Sequence, residues 1–581
     1  MCNSNELHGG TLIAEVLSKH GVQFIFTLCG GHISPILVGG QEQGLRIIDV
    51  RHEATTVFAA DAVARLTGIP GVAAVTAGPG LTNTITAVKN AQMAQSPVII
   101  LGGATATLLK GRGSLQDIDQ MALMKPHVKW ATTIKKVRQI VPKLEKAFAV
   151  AQEGIPGPVF LELPVDLLYP KSIMRQWHLD SAKNAKGIGG TLFKTYLNLH
   201  VTRKFWRAGK LRAGEPLPFK TPTHKKKQLD KIVQVLREAE RPVMVVGSQA
   251  LLNAPKANEL QEAVKRLGIP TFLSGMARGL LGKDPLHIRH KRTKAIREAD
   301  VLILAGVPCD FRLQYGQIIS KKTTYIAINR SKQELKKNRR PTIALLADPG
   351  NLLRSLAAEW SEPADKWSQW HDILLERNEA RDTQIAEQAT QQTEYVNPLL
   401  LLRQIEKVAD EDSIIIGDGG DFVATASYIV RPRAPLCWLD PGPFGTLGAG
   451  AGFALASKLV RPNAEVWLLY GDGSAGYSIA EFDTFSRHNI PIIAVVGTDA
   501  SWAQIAREQV EIFHNPVATQ LARTPYHIVA QGFGGKGLLV QEGNDVMECL
   551  LKAKTIAKEA QPVLLNAWIG QTDFRKGSIS I

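Results

Sequence analysis

The stretch VWLLYGDGS, residues 466–474, joins an apolar run to an aspartate between two glycines, and IIAVVGTDAS, residues 492–501, repeats this arrangement after a helix-like segment. Short apolar runs separated by a helical pattern are typical of buried parallel strands joined by a crossover helix. Because parallel strands end at the same edge of a sheet, we expect Asp472 and Asp499 to lie close together where such sheets bind ligands. The glycines would let the backbone approach a phosphate, and two carboxylates could hold a divalent cation such as magnesium.

Each part of this signal has an alternative interpretation. Gly417-Asp418-Gly419 is a second copy of the tripeptide in the same chain, so GDG alone is a weak indicator. Asp499 could be a turn or helix-cap residue instead of a ligand. The local pattern leaves both alternatives open.

The alternation of apolar runs and helical patterns continues outward over the whole chain and predicts an α/β protein with three doubly wound parallel-sheet domains. Predicted strands include Val22–Leu28 and Val72–Thr76 early in the chain, Val243–Gly247 in the middle, and Ser413–Ile416 near the end. The predicted segments are a first domain at 1–170, a basic linker or insertion at 171–227, a middle domain at 228–360, a connector at 361–397 and a last domain at 398–581.

Composition limits the functional class. The 581 residues are 45% hydrophobic and 21% charged, as in soluble globular proteins. The five cysteines are scattered and contain no CxxC pair, which argues against a disulfide framework or a structural zinc site and favours a reducing compartment. The first residues, MCNSNELHGGTLIAEVL, lack the apolar region of a signal peptide, and no window is long and apolar enough to span a bilayer.

The formal charge of +16 is concentrated in residues 171–227, which hold fourteen Lys or Arg and two Asp or Glu. That segment contributes +12 and the rest of the chain only +4, so we expect no general nucleic-acid surface. Within it, Phe193, Leu197, Val201 and Phe205 recur at helical spacing. They predict a basic amphipathic helix that either contacts a membrane peripherally or packs its apolar side on its own domain.

The first domain offers one candidate catalytic group. Arg51-His52-Glu53 ends an extended run and opens a helical pattern, which places the Glu53 carboxylate in the first turn. Glutamate is common there simply because it complements the helix dipole. A carboxylate in an apolar pocket could also share a proton with a bound group.

Taken together, these motifs resemble the thiamine diphosphate (ThDP) enzymes, in which a GDG motif and a second oxygen ligand hold Mg²⁺ and the diphosphate. The resemblance implies metal ligation by Asp472, Asp499 and the carbonyl of Ser501. It implies cofactor contacts from Gly471, Gly473 and Ser474. The family usually has Asn-Asn where this chain has Thr498-Asp499, and the additional negative charge would face the diphosphate.

The resemblance assigns the remaining site residues as well. It implies that Glu53 is catalytic and hydrogen-bonds N1′ of the aminopyrimidine. It further implies that Gly78 and Gly80 belong to the pyrimidine-binding turn and that Gln116 faces the substrate as a second catalytic residue. In the loop from Gly445 to Gly448, the family supports a bent cofactor, with Leu447 between its two rings and the Gly445 carbonyl accepting from the 4′-amino group.

Two long runs, RHEATTVFAADAVARLTG (51–68) and FGTLGAGAGFALASKL (444–459), are most similar to the animal acetolactate synthase-like proteins of the 2-hydroxyacyl-CoA lyase type. This similarity implies cleavage of a 2-hydroxyacyl-CoA to formyl-CoA and a shortened aldehyde, as in fatty acid α-oxidation. It also implies a homodimer or homotetramer with sites shared between chains, and a location at the endoplasmic reticulum membrane. Cytoplasmic location is the alternative, because no anchor is recognised in the sequence.

Other functions fit the same motifs. An acetolactate synthase-type carboligase would use a 2-oxo acid such as pyruvate and carry FAD in the middle domain. There, Asn329-Arg330 ends a predicted strand where a nucleotide-binding domain usually has an acidic ribose ligand, and this favours a phosphorylated ribose, as in coenzyme A, over FAD. The alternative is a vestigial pocket with Arg330 on the surface. A catalytically inactive ThDP-binding scaffold is the third possibility.

Overall fold

The computed structural model describes residues 8–363 and 365–577, and its named strands form three parallel sheets. The chain packs as two compact units. One takes in the chain to Ala64 and Ile69–Lys220, and the other takes in Arg65–Gly68 and the chain from Thr221 onward. The first unit contains one sheet and the second contains two. The predicted α/β class with three doubly wound parallel-sheet domains is confirmed.

The first sheet has six strands in the order β2-β1-β3-β4-β6-β5. Its strands are β1 Phe24–Leu28, β2 Arg46–Asp49, β3 Gly71–Val75, β4 Val98–Ala104, β5 Trp130–Thr133 and β6 Val159–Pro164. The helices are α1 Gly9–Lys19, α2 Ser34–Glu42, α3 Glu53–Thr67, α4 Pro79–Thr82, α5 Ile85–Met93, α6 Gln120–Met124, α7 Ile140–Gln152, α8 Lys171–Ser181 and α9 Gly187–Lys204. β3 and β4 are buried along their whole length, which explains their uninterrupted apolar sequence.

The basic segment contains the helix that its sequence predicts, α9. Leu197, Val201 and Phe205 are buried, and the last two pack in the core of the first unit. Their side of the helix therefore packs on its own domain. Phe193, predicted on the same side, is instead 46% exposed.

The middle sheet of the second unit has five strands in the order β11-β10-β9-β7-β8. They are β7 Pro242–Val246, β8 Thr271–Leu273, β9 Val301–Ala305, β10 Thr324–Asn329 and β11 Ile343–Leu346. The helices are α10 Lys226–Glu238, α11 Ala257–Leu267, α12 Arg292–Glu298, α13 Pro349–Glu359 and α14 Ser368–Ala389. The predicted polar connector is largely the helix α14.

The third sheet has six strands in the order β13-β12-β14-β15-β17-β16. They are β12 Ile414–Gly417, β13 Trp438–Leu439, β14 Val466–Gly471, β15 Ile493–Thr498, β16 Lys536–Val540 and β17 Val563–Trp568. The helices are α15 Pro398–Val408, α16 Asp421–Ile429, α17 Gly450–Val460, α18 Asp472–Ser478, α19 Glu481–Arg487, α20 Ala503–Phe513, α21 Tyr526–Gly532 and α22 Val546–Lys558. The stretch that opened the sequence analysis thus forms two adjacent central strands, β14 and β15.

The helix after the first of these strands differs from its prediction. The pattern predicts a helix over Ile479–His488, whereas the structure has α18 beginning at Asp472 itself and α19 following after a short break. Asp472 is therefore the first residue of a helix, and the glycine before it ends the strand. Among the described residues, no helix is both long and apolar enough to cross a membrane.

Candidate active site

The register of the third sheet brings the two predicted ligand loops together. Gly471 at the end of β14 pairs with Gly497 of β15, so the residues that follow each glycine leave the same edge. The Asp472 carboxylate accepts a hydrogen bond from the Ala500 amide of the second loop at 2.8 Å. Asp499 accepts from the Ser501 amide at 3.1 Å, which holds its carboxylate within its own turn.

Both carboxylates are removed from water, and this changes their acidity. Burial raises the pKa of Asp472 to about 6, against opposing hydrogen bonds from backbone amides. Burial, together with the neighbouring negative charge of Asp472, raises the pKa of Asp499 to about 7. Two buried carboxylates that repel each other are stabilised by a cation placed between them.

The donor chemistry of this edge fits Mg²⁺. Magnesium prefers oxygen ligands and takes only one or two carboxylates, with substrate or cofactor phosphates completing its shell. Asp472, Asp499 and the backbone carbonyl of Ser501 are all oxygen donors on two neighbouring loops. Among the described residues, no cluster of three or more His, Cys, Asp or Glu side chains could hold a metal by itself.

The departure at Thr498-Asp499 affects the site through only one of its two residues. Thr498 is fully buried, and its hydroxyl donates to Asn566 on the neighbouring strand at 2.6 Å. Its side chain therefore helps to hold the sheet together. Only Asp499 carries the change of charge.

The glycines around Asp472 have separate structural roles. A β-carbon on Gly473 would lie 2.4 Å from the ring of Trp502, so the absence of a side chain allows that ring to pack directly on the loop. The Ser474 hydroxyl donates to the Gly471 carbonyl at 3.0 Å and accepts from the Gly471 amide at 3.1 Å. Tyr526 adds a third support, donating to the Asp472 carbonyl at 2.8 Å.

The second GDG tripeptide supports the loop predicted to bend the cofactor. Asp418 is fully buried, and its carboxylate accepts from the amides of Gly448 at 2.7 Å and Gly450 at 3.0 Å. Burial raises its pKa to about 7, while these hydrogen bonds oppose the shift. Gly445 has a positive φ of 66°. A β-carbon on Gly419 would lie 2.5 Å from the Leu447 side chain, so Leu447 lies against this tripeptide.

In the first unit, Glu53 begins α3 directly after β2 and is 7% exposed. Its carboxylate accepts a hydrogen bond from the Asn83 side-chain amide at 2.9 Å. A β-carbon on Gly80 would lie 3.7 Å from the Glu53 carboxylate, so the pyrimidine-turn glycine and this acid are neighbours. Asn83 follows the turn, and its hydrogen bond connects the turn to Glu53.

Gln116 lies beside the other turn glycine. It has a positive φ of 63°, and a β-carbon on Gly78 would come within 3.0 Å of its backbone. The Gly78 amide donates to the side chain of Gln120 at 3.2 Å, and the Gln120 amide group donates to the Gly103 carbonyl at 3.0 Å. The structure thus places Gln116 against the turn, while its predicted contact with a substrate stays a prediction.

The predicted nucleotide position in the middle domain is occupied by internal contacts. Arg330 is only 8% exposed, so the alternative that placed it on the surface is wrong. Its guanidinium pairs with the buried carboxylate of Asp348 at 2.5 Å. Asn329 accepts hydrogen bonds from Gln249 at 3.1 Å and from the Ser331 amide at 2.8 Å. Because its charge is matched within the protein, Arg330 is a poor candidate for a phosphate ligand.

Several functional candidates were absent from the sequence-based predictions. In the sequence, Asp418 only weakens the GDG signal, and no pattern indicates a role for Asn83, Trp502 or Tyr526. Each acts through a contact between segments that are distant in sequence. The one available signal was GDG itself, since two copies of it follow the adjacent strands β12 and β14.

Comparison with known proteins agrees with both groups of residues. Models of thiamine pyrophosphate enzymes match the chain in three parts: the N-terminal TPP-binding domain at residues 7–123, the central domain at 229–356 and the C-terminal TPP-binding domain at 418–567. These matches include Glu53 in the first part and Asp472 and Asp499 in the last.

Similar proteins extend over nearly the whole chain. The chain is 51% identical to 2-hydroxyacyl-CoA lyase 2 of Danio rerio, over 99% of this chain and 93% of that protein. It is 49% identical to 2-hydroxyacyl-CoA lyase 2 of Homo sapiens, over 99% and 92%. A probable acetolactate synthase of Mycobacterium bovis is 33% identical over 94% of this chain and 93% of that protein. The chain is therefore an enzyme of the thiamine pyrophosphate-dependent family.

Proposed function

We propose that this enzyme is a carbon–carbon lyase that cleaves a 2-hydroxyacyl-CoA into formyl-CoA and an aldehyde one carbon shorter. The observation that carries the proposal is the identity of about half of all residues to proteins named 2-hydroxyacyl-CoA lyase 2, over almost their full length. The buried Glu53 supports catalysis, because a protein that only bound ThDP would not need a carboxylate at this place.

The family resemblance and the contacts described above support a role for each of the site residues. Bound ThDP supplies a carbon nucleophile and an electron sink for the cleaved bond. Glu53, held by Asn83, is positioned to share a proton with N1′ of the aminopyrimidine. Asp472, Asp499 and the Ser501 carbonyl would bind Mg²⁺ and, through it, the diphosphate. Leu447 would support the bent cofactor from the loop that Asp418 anchors.

The test is product analysis by mass spectrometry on protein supplied with Mg²⁺ and ThDP. A long-chain 2-hydroxyacyl-CoA is the substrate in one reaction and pyruvate in another, and Glu53→Gln is run beside each. We expect the shortened aldehyde with formyl-CoA or formate from the first reaction, and its loss in the variant. Acetolactate from pyruvate would instead assign a carboligase and make FAD the expected second cofactor. Neither product, with ThDP bound tightly, would indicate an inactive scaffold.

We further propose a homodimer or homotetramer in which Glu53 of one protomer and Asp472 of its partner serve the same cofactor. The family resemblance supports this arrangement. Light scattering would give the mass, and mixing inactive Glu53→Gln and Asp472→Asn proteins after subunit exchange would test the sharing. With equal mixing, about half of the dimers are mixed and each has one intact site of two, so the mixture should recover about a quarter of the wild-type activity per chain. A monomer that keeps full activity would contradict the proposal.

The basic segment supports a proposal for location, namely peripheral contact with the anionic face of the endoplasmic reticulum membrane. Opposite the packed side of α9, four apolar side chains are 47–84% exposed: Ile188, Leu192, Tyr196 and Leu199. The same segment is rich in Lys and Arg, as are helices that lie in a membrane interface.

Sedimentation with vesicles tests this location. Wild-type protein should sediment with vesicles that contain phosphatidylserine, and Ile188→Asp should reduce the bound fraction. Ile373→Asp, which alters an exposed isoleucine on α14, should not reduce it. Equal binding of both variants, or no binding of the wild type, would favour the cytoplasmic alternative.

A further inference from the structure

The second unit contains a strongly basic cavity of about 950 Å³ between its two sheet domains. The middle domain contributes the end of β8, the loop that follows it and α12. The last domain contributes α16 and the chain near Phe574. Nine Lys or Arg side chains and a single acid, Glu298, line this cavity; the cations are Arg278, Arg289, Lys291, Arg292, Lys294, Arg297, Arg381, Arg431 and Arg575.

Two of these arginines, Arg278 and Arg292, donate hydrogen bonds to backbone carbonyls. Arg278 donates to the Ser427 carbonyl at 2.7 Å, and its Nε is shielded from solvent without a hydrogen-bond partner among the described residues. Arg292 donates to the Arg312 carbonyl at 2.8 Å. Glu298, the one acid in the lining, pairs at 2.8 Å with Arg377, which lies outside the lining.

Other cations of the cavity do have carboxylate partners, and these hold the walls together. Arg431 pairs with Glu406 at 2.6 Å, and Arg289 reaches Asp382 at 3.4 Å. The pairs leave a surplus of positive charge around the cavity. Burial, with repulsion from neighbouring arginines, lowers the pKa of Arg289 and Arg292. Enclosed like charges of this kind are costly, and a polyanion placed among them would lower that cost.

The cavity also has an apolar part. Phe272, Leu273, Ile288, Val430 and Phe574 belong to its lining. A simple inorganic anion would not use this surface, whereas a ligand that joins phosphates to a flat ring and a flexible chain would use both parts.

α16 connects this cavity to the cofactor edge. Its N-terminal side follows Gly419, whose carbonyl would lie 3.5 Å from a β-carbon on Gly471 in the diphosphate loop. Ala424, Ser427 and Tyr428, further along the helix, line the cavity. Nine helical residues span about 13 Å, a distance that an extended pantetheine arm can cover.

We propose that this cavity binds the phosphorylated nucleotide of the acyl-CoA substrate, with Arg278 and Arg292 as phosphate ligands and the pantetheine arm directed along α16 toward the cofactor. The assignment rests on the proposed function, since it names the binding site for that substrate. The sequence suggested a nucleotide site near Arg330, which follows β10. The cavity lies instead at β8, toward the opposite edge of the middle sheet.

Calorimetric titration of CoA into protein loaded with Mg²⁺ and ThDP tests the site without turnover. Arg292→Gln should weaken CoA binding about 10-fold or more, since one hydrogen bond between charged groups is lost. Lys291→Ala with Lys294→Ala, both at exposed positions, gives a second variant that does not disturb the core. The matched control is Lys321→Ala with Lys322→Ala, also exposed and outside the cavity. It should bind CoA as the wild type does.

Turnover of a 2-hydroxyacyl-CoA by the same proteins separates this proposal from the proposed function. We expect KM to rise in the cavity variants with kcat nearly unchanged, because ground-state and transition-state binding are weakened alike. Cleavage with the same CoA affinity in all variants would overturn the cavity assignment and leave the lyase intact. CoA binding that depends on Arg292, without cleavage, would refute the lyase and retain the site. ADP is titrated in parallel, and an affinity equal to or above that of CoA would overturn acyl-CoA as the occupant.

Discussion

The contact between Asn83 and Glu53 gives a sharp prediction about catalysis. The Asn83 side chain donates to the Glu53 carboxylate at 2.9 Å, beside the pyrimidine turn. Replacing Glu53 by Gln keeps an oxygen that can accept this bond and removes the shared proton. We expect Glu53→Gln to lower the rate of aldehyde formation by about 10²- to 10⁴-fold, the usual contribution of a proton-transfer group.

The expected effect of Asn83→Ala follows from the type of bond it removes. A hydrogen bond to a charged group contributes about 1.5–3 kcal/mol, and one to a neutral group about 0.5–1.5 kcal/mol. Asn83 is exposed, so the lower end of each range applies. Asn83→Ala should therefore reduce kcat/KM about 10-fold in the wild-type background, but only about 2-fold in the Glu53→Gln background.

The four proteins form a double-mutant cycle, measured as initial rates at saturating Mg²⁺ and ThDP. Thr82→Ala, at an exposed neighbour whose hydroxyl donates to the Pro79 carbonyl at 3.2 Å, is the control and should retain wild-type rates. An equal loss from Asn83→Ala in both backgrounds would refute the reasoning, because Asn83 would then act independently of Glu53.

Three further predictions concern other parts of the molecule. Gly473→Ala should abolish ThDP binding because its methyl would meet the ring of Trp502, whereas Gly476→Ala on the same helix has open space and should bind normally; fluorescence titration measures both. Leu447→Ala should weaken ThDP binding about 10-fold, as expected when part of a buried leucine contact is lost, without changing the melting temperature by more than a few degrees. Burial lowers the pKa of His287 to about 4, so the unfolded state takes up its proton first as pH falls from 6.5 to 4. The wild-type protein should therefore lose free energy of unfolding over that pH range. The loss in His287→Gln should be smaller by on the order of 2 kcal/mol, after allowance for partial exposure of the ring. Urea unfolding of both proteins at pH 7 and pH 4.5 measures the difference.

The sequence predicted the central strands well and the edges of two sheets poorly. β3, β4, β14 and β15 are uninterrupted apolar runs because both faces of a central parallel strand are covered. The four strands that were not predicted, β2, β5, β13 and β16, are the two edges of the first sheet and the two edges of the third. Edge strands are less covered and can be short or polar, as KGLLV at 536–540 shows with its partly exposed side chains. Their position becomes visible only when the sheet is assembled.

The site shows the same division between local and long-range information. Asp472 and Asp499 could be placed side by side because strand ends in a parallel sheet converge, and the register between Gly471 and Gly497 confirms that arrangement. The basic cavity could not be predicted, because its cations come from the segment after β8, from α12 and the loop before it, from α14, and from the segments after α16 and β17. Five of the nine lie within residues 289–297, but no pattern in the sequence shows that the other four join them in one cavity. Most of the visible basic cluster at 171–227, namely the part up to Lys220, lies in the other unit.

The substitution of Asp for the usual second Asn of the family is less disruptive than the sequence suggested. The additional charge at Asp499 lies next to Asp472, whose negative charge, together with burial, makes Asp499 more difficult to ionise. A divalent cation removes that difficulty, so the charge that opposes the diphosphate also strengthens attraction for Mg²⁺. We therefore expect Asp499→Asn to weaken Mg²⁺ binding more than ThDP binding at saturating Mg²⁺. The reverse order in paired titrations would mean that repulsion of the diphosphate, not attraction of the metal, dominates at this position.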